Sequence, residues 1–276
     1  MSDSGIKINL KRIFLYCARE GNKLHMKETF RDKILKLALP IMAQQFMLAL
    51  VSACDALMLG GLNQSSLSAV SLASQITFVF NLVLTALTIG ENMFVAQYYG
   101  KKDFDGLRSS AGLVLRYVLA VSCFFLITTL FAPEFLMRLF TKDTTLIAYG
   151  IKYLKLIGLS YVFSGVLQVL QGILKNCGHV GKCTMVSIVV VCANIVLNAI
   201  FIYGYFGFPR MEIAGAALAT VIANGIGLVI TIYLLHPQQE LRIGIADIEC
   251  KRGNITKKFW KHVYPVLLNE IVWGGG

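Results

Sequence analysis

Between Leu37 and Leu235 the chain carries six hydrophobic stretches long enough to cross a bilayer, and within them only two acids occur, Asp55 and Glu91. The stretches run from Ile34 to Gly60, Leu67 to Tyr98, Gly112 to Phe131, Tyr149 to Leu174, Cys183 to Tyr203 and Ile213 to Leu235. Each reaches or exceeds the roughly 20 residues a helix needs to span the hydrocarbon core. Helices are favoured over barrel strands because the apolar runs are continuous. Leu156 to Leu174 and Cys183 to Pro209 contain no Asp, Glu, Lys or Arg and no alternation of apolar with polar residues. Composition agrees: the chain is 56% hydrophobic and 15% charged, against about 25% charged in an ordinary soluble domain. The sequence therefore predicts an all-α membrane protein, a bundle of six transmembrane helices.

Positive charge orients the bundle. One set of connections collects Lys7, Lys11, Arg12, Arg19, Lys23, Lys27, Arg31, Lys33 and Lys36, then Lys101, Lys102 and Arg108, then Lys175 and Lys182, then Arg242, Lys251, Arg252, Lys257, Lys258 and Lys261. The opposite set keeps Arg138, Lys142, Lys152, Lys155 and Arg210, and Arg116 falls within the third span. By the positive-inside rule this predicts a multi-pass protein of the cell membrane with a cytoplasmic N-terminus. The net charge of +11 then reads as orientation and contact with anionic lipid, and no nucleic-acid partner is expected.

Little else in the composition suggests enzyme chemistry. The seven cysteines are scattered and odd in number, with no C-x-x-C pair, and no two of the four histidines have ligand spacing. Neither a phosphate-binding G-x-x-x-x-G-K-[ST] loop nor a G-x-S-x-G nucleophile turn is present. No enzyme activity, metal site or cofactor is expected.

Polar residues instead recur at helical spacing. Asn81, Thr85, Thr88 and Asn92 lie on one face of the second span, and Ser164, Gln168, Gln171 and Lys175 on one face of the fourth. Ser187, Asn194 and Asn198 align on the fifth, Thr220, Asn224 and Thr231 on the sixth, and Gln44 and Ser52 share the face of Asp55 on the first. Two readings stand. The stripes line a common water-filled cavity, with Gln44, Ser52, Asn81, Thr85, Thr88, Gln168, Gln171 and Asn224 in its walls, or they are hydrogen-bonding glue between packed helices. At about 1.5 Å per residue, Asp55, Asn194, Asn198 and Thr220 all fall roughly 8–14 Å from the same end of their spans. One carboxylate among amide and hydroxyl oxygens suits a hard monovalent cation or a proton, and the alternative is a structural Asp satisfied by Asn donors.

Several of these segments resemble one family. Leu39-Pro40 near the start of the first span, followed by Asp55 and then Gly60-Gly61, looks like the first helix of the multidrug and toxic compound extrusion (MATE) transporters. Phe94 to Asp103 is similar to the end of that family's second helix and the following turn. Gln171 to Gly178 resembles a weakened form of its Leu-Arg-Gly-x-Gly turn, and Asn194 to Asn198 and Gly215 to Thr220 follow in the family's order. The resemblance implies a secondary antiporter that expels small organic, often cationic, compounds in exchange for Na⁺ or H⁺. By position Asp55 matches the coupling carboxylate, Asn194 a coordinating Asn and Thr220 a hydroxyl ligand. Where many relatives place a second Asp one turn after that Asn, this chain has Asn198, which leaves proton coupling at Asp55 at least as plausible as Na⁺ coupling. Glu91 is a further departure, expected to be solvated or to serve helix packing. Aromatic residues such as Phe46, Phe78, Phe80 and Tyr161 suit contact with flat cations, but most of the 17 Phe are expected to face lipid or neighbouring helices and none is assigned to a site.

The same resemblance implies a fold of two six-helix lobes, of which this chain supplies one. Residues 1–33 are expected to form a basic cytoplasmic segment, 34–235 the six-helix lobe, 236–258 the connection between lobes, and 259–276 the start of a seventh helix. A missing second lobe, or a homodimer partner, would complete it. The competing readings are a lipid-linked oligosaccharide flippase of related architecture, which should line its cavity with Arg or Lys, and a fragment that transports nothing.

Overall fold

The computed structural model describes residues 30–60, 64–207, 209–238, 241, 243–244, 247 and 253–275. The chain divides into two units, residues 1–39 and 40–276; most of the first, including the basic segment up to residue 29, lies outside the described residues. Eight α-helices are described: α1 (Phe30–Gly60), α2 (Gln64–Gly100), α3 (Phe104–Phe131), α4 (Pro133–Arg138), α5 (Thr144–Asn176), α6 (Val180–Tyr203), α7 (Ile213–Leu235) and α8 (Gly253–Gly275). Helices α2, α3, α5, α6 and α7 are each long and apolar enough to cross a membrane, and α1 carries a shorter apolar stretch, Met42–Met58. The protein is an all-helical, multi-pass membrane protein; the count of full spans among the described residues is five, with α1 contributing the sixth apolar stretch.

Two helices start well before hydropathy alone predicts, and capping is the reason. Helix α3 begins eight residues before Gly112 because Asp103 accepts from the Gly106 amide at 2.9 Å. Asp143 starts α5 five residues before Tyr149, accepting from the Thr145 amide at 2.8 Å and its hydroxyl at 2.6 Å. A short polar cap satisfies amides that a bare helix end would leave open, and hydropathy does not see it. The six-residue helix α4, opened by Pro133, has too short an apolar run to be read as a span. Helix α6 ends at Gly204, whose φ of 77° is a left-handed cap that a side chain would strain.

Helix α5 is the most buried of the spans and packs on α2, α3, α4 and α7, while α7 also packs on α6 and α8 on α2. Its core contacts include Leu84 of α2, Leu107 and Val114 of α3, and its own Leu154, Tyr161, Ile173 and Leu174, all buried. Within lipid, apolar side chains gain little by leaving one apolar environment for another, so association rests on close packing. Small residues supply it: a methyl added at Gly165 of α5 would lie 2.7 Å from the Ser122 hydroxyl and 2.9 Å from Val118, both on α3.

Candidate functional site

Four helices wall a cavity of about 640 Å³. Helix α5 contributes Tyr153, Ile157, Ser160, Tyr161 and Ser164, a stripe recurring every three or four residues. Helix α2 adds Ser74, Gln75, Thr77, Phe78, Phe80 and Asn81; α7 adds Thr220 and Asn224; α1 adds Asp55. Tyr161 and Thr77 fix each other through their hydroxyls at 3.0 Å, and Tyr161 packs against Phe80 with ring centroids 4.7 Å apart. Among the described residues Asp55 is the one charged side chain in this wall.

Behind Asp55 runs a chain of hydrogen bonds through α6 to α7. The Asn198 amide donates to Asp55 Oδ1 at 2.5 Å and to Asn194 Oδ1 at 3.0 Å. Asn194 donates in turn to the Thr220 hydroxyl at 3.3 Å, which donates to the Ala216 carbonyl at 3.1 Å. The structure thus brings together the four residues that the sequence placed in one layer. Asn198 is fully buried, and its Oδ1 has no hydrogen-bond partner among the described residues. A buried acceptor without a donor is costly. Among the described residues no three His, Cys, Asp or Glu side chains cluster.

The remaining polar stripes divide. Asn81 and Asn224 line the cavity. Gln44, Thr85, Thr88, Gln168 and Gln171 do not, which corrects the single shared cavity expected from their spacing. Gln44 donates to Gln171 Oε1 at 3.3 Å and to the Ser187 hydroxyl at 2.7 Å, a buried three-helix knot on the face of α5 that carries Ser164 two turns earlier. Thr88 turns back to the Thr85 carbonyl and Thr231 to the Gly227 carbonyl, as hydroxyls in apolar helices do. Gln168 is exposed and Thr85 half-buried away from the wall. Here the glue reading holds and the cavity reading does not, because periodicity defines a face without naming the neighbour it meets. Ser52 has its side chain outside the described residues. Of the aromatic candidates, Phe78, Phe80 and Tyr161 line the cavity and Phe46 is exposed.

Of the two expectations for Glu91, solvation or helix packing, the structure shows the second. The acid is not solvated: its relative exposure is 0%, and neither carboxylate oxygen has a hydrogen-bond partner among the described residues. The α5 stripe upstream of Ser164 was missed. Its signal was the spacing of Tyr153, Ile157, Ser160 and Ser164, hidden because half the stripe is aromatic or apolar.

A family model named MatE matches residues 40–200, more than half of the chain. The chain belongs to the MATE family. Among curated proteins it is similar to a probable multidrug resistance protein NorM of Thermotoga maritima, 28% identical over 248 residues that cover 89% of this chain and 53% of that one. It is also similar to the uncharacterized transporter YisQ of Bacillus subtilis, 24% identical over 219 residues, 78% of this chain and 47% of that one. This MATE chain spans about half the length of the curated relatives it matches. Its fold matches a MATE crystallised in a bent conformation, with a TM-score of 0.77 at 24% identity, over 87% of this chain and 53% of that one. A MOP superfamily transporter from Pyrococcus furiosus matches equally, with a TM-score of 0.77 at 24% identity over 87% of this chain and 52% of that one.

Proposed function

We propose that this chain forms one lobe of an ion-coupled exporter of small organic cations, with Asp55 as the group that cation and coupling ion compete for. One observation carries the reading: among the described residues the cavity wall holds a single charge, a carboxylate, set among aromatic rings, amides and hydroxyls. Aromatic faces and a lone anion attract a flat or lipophilic cation, while the polar groups orient it. Entry of H⁺ or Na⁺ at Asp55 would neutralise that attraction, and the ion's unequal affinity for two arrangements of the lobe would shift their populations. Asn198, Asn194 and Thr220 would hold the carboxylate and supply further oxygens to Na⁺; H⁺ would need only Asp55. A second lobe facing this cavity would close the path. Among the described residues no Arg or Lys lines the cavity, so a diphosphate-bearing lipid finds no counter-charge in that lining and the flippase reading gains no support.

The same proposal sets the N-terminus and the turn at Lys101 and Lys102 in the cytoplasm. Labelling of a cysteine placed at position 102 from outside intact cells would overturn that orientation. The functional test uses the purified chain in lipid nanodiscs with a fluorescent lipophilic cation. Binding should weaken as pH falls or Na⁺ rises, and Asp55→Asn should weaken it by at least about tenfold, equal to about 1.4 kcal/mol. Unchanged binding by Asp55→Asn sinks the assignment.

A further inference from the structure

Glu91 takes no part in the cavity, yet it is the most completely enclosed acid described in the molecule. It lies nine residues before the end of α2, in the half of the bundle that carries the basic turns. Leu87, Glu91, Phe94 and Val95 share one buried face of α2. Helix α5 meets that face at Gly172. A methyl there would lie 3.1 Å from Glu91 Oε2 and 3.2 Å from Asn92 Oδ1, so the absence of a side chain makes the room the carboxyl group occupies. Asn92 is itself tied to α5, accepting from Asn176 at 2.6 Å. Helix α8 meets the same face through Phe259 and His262, whose rings lie 6.0 Å from that of Phe94, and Phe259 is buried.

Among the described residues no charge pairs with the acid. On α5 the nearest titratable group along the chain is Lys175, one turn beyond Gly172; on α8 they are Lys258, Lys261 and His262; on α3 they are Arg116 and Tyr117, Tyr117 being stacked on Phe259. Cys183 of α6 donates to the Gln171 carbonyl. None of these hydrogen-bonds to Glu91. An ionised carboxylate without a donor in such surroundings costs several kcal/mol, whereas a neutral acid costs far less.

We propose that Glu91 is a proton-binding site at the basic end of the lobe, which keeps its proton while α2, α5 and α8 are packed and releases it to water when they part. Glu91 is then a switch distinct from the cavity, and its behaviour does not depend on what Asp55 binds. The sign follows from linkage: the packed form carries the proton and the parted form does not, so rising pH favours parting. Helix α8 is the element set to move, since it packs chiefly on α2 and meets α3 through Tyr117.

Two measurements test this on the full chain in nanodiscs. Infrared spectroscopy at neutral pH should show the carbonyl stretch of a protonated carboxylic acid in wild type and in Asp55→Asn. In the Asp55→Asn background Glu91→Gln should lose that band, and so should Glu91→Met if the amide variant fails to fold. In a Trp273→Phe background, Trp260 reports the packing of α8; its emission should shift as pH is raised, and Glu91→Gln should abolish the shift. A band that survives in both Glu91 variants, a spectrum of Asp55→Asn without the band, or an alkaline shift unchanged by Glu91→Gln would each overturn the proposal.

Discussion

Two acids lie within the apolar helices, and they are accommodated in opposite ways. Asp55 stands at the edge of a polar cavity and receives a hydrogen bond from Asn198, the first link of a chain reaching α7. Glu91 stands in a buried contact with no donor among the described residues, beside a glycine that makes space for it. A carboxylate can persist at membrane depth either because neighbours supply donors or because it surrenders its charge. The first arrangement suits a site that exchanges ions, the second a site that must be opened before it can ionise.

The largest expected effect separates the two by function. Asp55→Asn should abolish ion-driven efflux by a complete two-lobe transporter while insertion stays near normal, and Glu91→Gln should leave cation binding to the cavity intact in the same nanodisc assay. Loss of cation binding in both variants would erase the distinction. Stability should separate them by sign. Replacing an unpartnered buried acid with an apolar residue of similar length removes a desolvation cost, so Glu91→Met should stabilise by about 1–3 kcal/mol. Asp55→Leu takes an acceptor from Asn198, which keeps its bond to Asn194, and should destabilise by about 1 kcal/mol. Thermal unfolding in detergent reads both, and shifts of the same sign would break the comparison. A smaller effect tests the Glu91 niche: Gly172→Ala should cost about 1 kcal/mol by crowding the carboxyl group, and less in a Glu91→Ala background. Equal costs in the two backgrounds would show that the glycine serves something else.

The smallest effect lies at a third carboxylate, which is outside the membrane spans. The Thr145 hydroxyl, followed by its amide, holds the Asp143 carboxyl below its ordinary value. That cap is fully present above the ordinary carboxylate range and fades as pH falls through the lowered value. Amide exchange in the first turn of α5 should quicken in acid, and Asp143→Ala should remove the pH dependence.

Much of this architecture is legible in the sequence. Continuous apolar runs fix the membrane helices, and Asp55, Asn194, Asn198 and Thr220 meet because helical rise places them at one depth. What periodicity cannot supply is the partner. Gln44 and Gln171 were placed on polar faces, but whether those faces meet water or each other depends on how α1 and α6 lie against α5. Glu91 has the local sequence of a residue near a helix end, and only the packing of α5 and α8 on α2 shows that it is enclosed. The caps at Asp103 and Asp143 carried the expected residue type, yet hydropathy placed the boundaries inside them.

The chain of bonds behind Asp55 also has a grammar. Its direction is set at Asn198, which spends its amide hydrogens on Asp55 on one side and Asn194 on the other; Asn194 then gives to Thr220, and Thr220 gives its only hydrogen to Ala216. Turning the Asn198 amide would set two carbonyl oxygens face to face. To relieve that, Asn194 would have to turn as well, and Thr220 would have to abandon its own helix to face Asn194. If Asp55 were to offer a proton to Asn198 Oδ1, the sentence would have to be read backwards along its whole length. A change of one hydrogen on α1 would then be spelled out on α7, across a helix whose backbone need not move.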